Sequence, residues 1–104
     1  MRAQVGDTIV FEPTPGGGHS AASLLVPAGA QPWSGAPDKE TRVTLEAEGV
    51  YLYACTAHRM MGMVGVIQVG KPVNWQEAAR MAKAESAKFV MNKDRFDKAL
   101  AQIQ

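Results

Sequence analysis

The segment Cys55-Thr56-Ala57-His58-Arg59-Met60-Met61-Gly62-Met63 puts a thiol, an imidazole and three thioethers between two strand-like runs, Val50–Ala54 and Met63–Val69. A loop pinned at both ends by strands can wrap such side chains around one point, whereas a helix or an unbroken strand cannot at this spacing. The flanking sequence agrees with β structure. Thr41 to Glu46 alternates Thr41, Val43 and Leu45 against Arg42, Thr44 and Glu46, as a half-buried antiparallel strand does, and Gly49 separates it from Val50–Ala54. Thr8–Glu12 is a further strand, and Gly70 and Pro72 stop the run that begins at Met63. Antiparallel runs joined this closely predict a β-sandwich.

Loops and helices complete the expected plan. Residues 13–18 hold two prolines and three consecutive glycines, and Pro27 to Pro37 is rich in Pro, Gly and Ala, so both are expected as loops. After Pro72 the period changes to a helical one through Trp75, Ala78, Ala79, Ala82 and Phe89. Asn74 stands as N-cap and Glu77 as its reciprocal partner three residues on. A second helix is expected from about Asp94, with Phe96, Ala99, Leu100 and Ile103 on one face and Lys and Gln on the other. No internal repeat or second composition regime occurs, so residues 1–104 read as one domain, a sandwich over 1–71 and a helical region over 72–104.

Charge and hydropathy exclude several functions. A net charge of +1 offers no basic surface for nucleic acid, and the longest apolar run, Val64 to Val69, is far short of the roughly 20 residues that span a bilayer. A single cysteine forms no intramolecular disulfide, so cysteine usage does not indicate the redox compartment. The start of the chain lacks an apolar stretch of the signal-peptide kind and leads directly to Val5-Gly6-Asp7, a turn.

The donor types decide the chemistry. Thiolate and thioether are soft donors that favour copper, imidazole suits both copper oxidation states, and two His with one Cys and a weak axial Met form the blue-copper arrangement. His19, beside Gly16-Gly17-Gly18, supplies the other imidazole, and His19 and His58 are the only histidines in the sequence. Each residue alone has a plainer explanation: Cys55 as a small buried hydrophobe, His19 as a solvated loop residue, Met60, Met61 and Met63 as core filling. Their joint occurrence, a Cys-x-x-His followed five residues on by Met between two strands with an upstream loop His, has few structural causes. A nucleophilic Cys with a His base lacks an oxyanion-hole loop here, and structural zinc lacks its usual second ligand pair.

The residues resemble those of the cupredoxins, the small blue copper proteins, and among them the pseudoazurins. The resemblance runs from Val5-Gly6-Asp7-Thr8 through Gly49-Val50-Tyr51 and Cys55-Thr56-Ala57-His58 to residues 62–70, and the two C-terminal helices belong to it. It implies a mainly β, Greek-key sandwich with two C-terminal helices, and a type 1 copper held by His19, Cys55, His58 and Met63. It implies Met63, rather than Met60 or Met61, as axial ligand. The implied role is a periplasmic one-electron carrier, not an enzyme. Redox partners such as nitrite reductase and cytochromes would dock on an apolar patch around His58, for which Pro13, Pro15, Pro32, Met60 and Met61 are available. A copper-handling module with the same ligands, or a metal-free sandwich, are the other expectations these residues allow.

Three departures from the resemblance carry expectations. Ser20 stands where the family usually has Asn, so the two ligand loops are expected to be braced less firmly. Arg59-Met60 replaces Tyr-Gly, adding bulk and charge beside His58. The strand and signal peptide that precede the position of Val5 in such proteins are missing from the sequence, so an open sheet edge and dimerisation through it are expected.

Overall fold

The computed structural model describes residues 2–12, 21–35, 39–55, 64–89 and 94–101. In chain order the elements are β1 (Arg2–Ala3), β2 (Thr8–Phe11), β3 (Ala22–Leu25), β4 (Thr41–Thr44), β5 (Gly49–Ala54), β6 (Val64–Val69), α1 (Trp75–Ser86) and α2 (Arg95–Leu100). One sheet has the order β1-β6-β5-β3, and β2 pairs with β4 in a second. All pairs are antiparallel except β1 with β6. This is the mainly β architecture with two C-terminal helices that the sequence predicts.

The larger sheet is covered on both faces, which is why β5 reads Gly-Val-Tyr-Leu-Tyr-Ala with no charged residue. Side chains alternate across a strand, so Val50 and Leu52 go one way and Tyr51 the other. On the first face Val50, Leu52 and Val66 meet Ala78 and Ala82 of α1, Phe96 and Leu100 of α2, and Phe89. On the second, Tyr51, Ile67 and Val69 meet Val43 and Leu45, with Ile9 and Phe11 packed against them. Burying each of these large side chains contributes about 1.5–3 kcal/mol, so two independent cores hold one sheet. Glu85 is the charged member of α1's buried face, 3.8 Å from Lys88. Among the described residues no helix is long and apolar enough to cross a membrane.

Several local features differ from the sequence expectations. β3 falls where no strand is evident, because its pairing with β5 jumps from Ser23↔Tyr53 to Leu25↔Leu52. Leu24 is the extra residue of a bulge, and both Leu24 and Leu25 pack towards the helices, which erases the alternation. Asn74 sits at the N-cap of α1, but its side chain makes no capping bond. Its Oδ1 instead accepts the Val50 N–H at 2.6 Å and its Nδ2 donates to the Val50 carbonyl at 3.0 Å, taking the place of a neighbouring strand. Gly49 begins β5 with φ +142°, and a Cβ there would meet Pro27 at 2.7 Å and the Asn74 Oδ1 at 2.8 Å. Trp75, expected on the apolar helix face, is 40% exposed, whereas Ala78 and Ala82 are buried. Phe89 lies beyond the end of α1 yet is buried.

Candidate metal centre

Three strand ends meet where the chemistry is expected. Ala54, the last residue of β5, is in register with Ala22 of β3 on one side and Val64 of β6 on the other. Neighbouring strands lie about 4.8 Å apart, so these three positions span about 10 Å along one sheet end. Cys55 follows Ala54 directly and is half-buried. Ala22, Cys55 and Val64 thus stand at one end of the sheet.

The scaffold under Cys55 is apolar and tightly packed. The Tyr53 ring meets Phe11 edge-on with centroids 5.0 Å apart, and burial pushes the Tyr53 hydroxyl above its ordinary pKa of 10.0, so it is a neutral phenol at physiological pH. Gly65 is Tyr53's register partner, and a Cβ at Gly65 would run into the Tyr53 ring and hydroxyl. An aromatic laid over a cross-strand glycine fixes the spacing of β5 and β6 immediately before they part. On the other face Leu24, Leu25 and Val64 close the end against the helix-side core.

A short segment covers the outer edge of β3. The Gly35 N–H donates to the Ala21 carbonyl at 2.8 Å, the Ser23 N–H to the Trp33 carbonyl at 2.9 Å, and Ser34 bridges Ala22. Pro32, beside this segment, is exposed. At the far end of β5, Tyr51 donates to the Ala47 carbonyl at 2.7 Å and accepts the Ala47 N–H at 3.2 Å, a tyrosine-corner closure. Burial raises the Tyr51 pKa, against the opposing Ala47 bond.

Of the predicted ligands, Cys55 is described, whereas His19, His58 and Met63 lie outside the described residues, as do Pro13, Pro15, Ser20, Arg59, Met60 and Met61. Among the described residues no three His, Cys, Asp or Glu side chains group as a metal site. What is described suits copper: a half-buried soft sulfur donor directly after the last residue of β5. Ser23 and Trp33, which hold the start of β3, were not evident as parts of the site. The Ser beside an irregular apolar run was the available signal.

The two-sheet β architecture with two C-terminal helices is that of the cupredoxin fold. The chain belongs to the copper-binding proteins of the plastocyanin/azurin family, whose family model matches residues 1–70. Copper is accordingly its cofactor. Its relatives are pseudoazurins. It is 37% identical over 106 residues to a protein designated a pseudoazurin in Rhizobium leguminosarum bv. viciae, covering 99% of this chain and 66% of that protein. It is 33% identical over 105 residues to the pseudoazurin of Paracoccus pantotrophus, covering 99% of this chain and 69% of the relative. The chain therefore spans about two thirds of the length of these relatives. The crystal structure of native pseudoazurin from Hyphomicrobium denitrificans superposes with a TM-score of 0.79 at 33% identity, covering 99% of this chain and 80% of that one.

Proposed function

We propose that this chain is a one-electron carrier whose type 1 copper is held by His19, Cys55, His58 and Met63, and that it transforms no substrate. The observation that carries the reading is the register Ala22↔Ala54↔Val64. Three extended residues reach at most about 10 Å, so His19, three residues before Ala22, is within range of the sheet end that Cys55 leaves. Met63 directly precedes Val64, and His58 is three residues beyond Cys55. When bound, copper supplies a Cu(II)/Cu(I) couple. The chain's part is to supply one thiolate, two imidazoles and one thioether from segments whose ends are fixed by strands, so that little has to move between oxidation states.

The same reading assigns residues 1–104 to one domain, places the protein in the periplasm and makes its partners redox proteins of the cytochrome and nitrite reductase kind, met transiently around His58. Family membership and the exposed Pro32 near the β3 end support that face as the docking side. The two-stranded β2–β4 sheet is the edge through which a dimer would form. Mixing the Cu(II)-loaded protein with a reduced cytochrome in a stopped-flow instrument tests the reading. Fast second-order bleaching with copper retained is expected. Loss of copper to a weak chelator upon reduction would identify a copper-handling protein instead.

A further inference from the structure

We infer that Ser23, through the segment Trp33–Gly35, is a positioning residue for the copper centre: it fixes the start of β3 and thereby the histidine four residues upstream. The inference rests on the reading of His19 as a ligand. β3 is an edge strand, and its regular pairing with β5 ends at Ser23, because the bulge begins at the next residue. Among the described residues, Ala22↔Ala54 and Ser23↔Tyr53 hold its first residues on the inner side. A strand end held on one side by so short a ladder opens readily, and a ligand carried on it would open with it.

The outer side is where the fastening lies. The Ser23 hydroxyl accepts the Trp33 N–H at 3.0 Å and donates to the Trp33 carbonyl at 3.2 Å, which also accepts the Ser23 N–H at 2.9 Å. One serine thus satisfies both backbone groups of Trp33, which requires a side chain that both donates and accepts. Two residues on, the Gly35 N–H holds the Ala21 carbonyl. The segment is itself anchored. The Trp33 ring lies 6.1 Å from that of Phe11 and 6.4 Å from that of Tyr51, inside the inter-sheet core. Gly35 is so close to Thr41, at the start of β4, that a Cβ would meet its Oγ1, and the same Cβ would lie 3.0 Å from the Ala21 carbonyl. The start of β3 is therefore tied to β5 on one side and, through Trp33 and Gly35, to the second sheet on the other. None of these atoms is a candidate copper donor, so the effect on the centre is one of placement.

Ser23→Ala and Ser23→Thr test this, with Asn74→Ala as a control that removes two side-chain bonds from the opposite end of β5. In the metal-free protein S23A is expected to speed amide exchange at Trp33 roughly tenfold, equivalent to about 1.4 kcal/mol of local protection. In the copper-loaded protein it is expected to change the paramagnetic-resonance hyperfine pattern and to speed Cu(I) release. S23T, which keeps the hydroxyl, restores both, and N74A leaves both as in the wild type. A copper spectrum and release rate unchanged by S23A, or changed equally by N74A, would overturn the inference while leaving the electron-carrier reading intact. Absence of a copper–thiolate band in the wild type would overturn that reading itself. Should S23A not fold, the wild type decides: copper loading slows exchange at the Ser23 and Gly35 amides more than at Val50, by reciprocity of coupling. Equal protection at the three would count against the role of Ser23.

Discussion

The two ends of β5 are built in different ways. At the Gly49 end the strand is closed by side-chain bonds to backbone: Asn74 pairs with both backbone groups of Val50, and Tyr51 closes on Ala47. At the Ala54 end the strand is held by its neighbours β3 and β6, by the Tyr53 ring over Gly65 and by the fastening at Ser23, and then runs into the cysteine loop. On the proposed reading of the copper centre, the first end bears on stability alone and the second also on where donor atoms go. Substitutions at the first should therefore cost folding free energy without altering the copper signature, and substitutions at the second should alter the signature out of proportion to their cost.

The largest expected effect breaks the helix-side core and leaves the hydrogen bonds that fasten either end in place. Phe96 is fully buried, and Phe96→Ala should lower unfolding free energy by about 3–5 kcal/mol in a urea titration, while the copper spectrum of the folded fraction stays unchanged. Gly65→Ala comes next, because its methyl group collides with Tyr53. A cost of about 1–3 kcal/mol is expected, and here the copper spectrum should shift, since Tyr53 stands two residues before Cys55. Asn74→Ala removes the clamp on Val50 and should cost about 1–3 kcal/mol, with an unshifted spectrum. If G65A and N74A perturb copper equally, the distinction between the two ends fails.

The smallest effect concerns Asp94, whose carboxyl is held below its ordinary pKa of 3.8 chiefly by the Lys98 side chain, 3.1 Å away. A depressed folded value means that the contribution is present above the unfolded pKa and is lost as pH falls through the folded one. Because the pair is fully exposed and screened, Asp94→Asn should flatten the acid limb of the stability curve only slightly and leave copper binding alone.

How far the sequence discloses this division depends on the residue. The strict alternation of Thr41–Thr44 and the two-sided apolar run of β5 are direct consequences of burial, and both are legible. The proposed donors Cys55, His58 and Met63 are read from chemistry, since thiol, imidazole and thioether have few reasons to share one loop. β3 is illegible because the bulge at Leu24 turns two successive leucines to one face, and β1 is too short, at two residues, to show a period. Asn74 fits a capping pattern, yet its amide finds better use on Val50, a partner 24 residues away that no local rule anticipates. Ser23 is invisible for the same reason: its importance lies in a tertiary contact with Trp33.

Whether the Cys55 end gathers a copper centre is decided by an optical and paramagnetic-resonance titration of the metal-free protein with Cu(II), beside Cys55→Ser. One copper per chain, an intense visible thiolate-to-copper band with a narrow hyperfine splitting, and loss of both in the serine variant are expected. A colourless, folded protein, or a band that survives Cys55→Ser, would contradict such a centre.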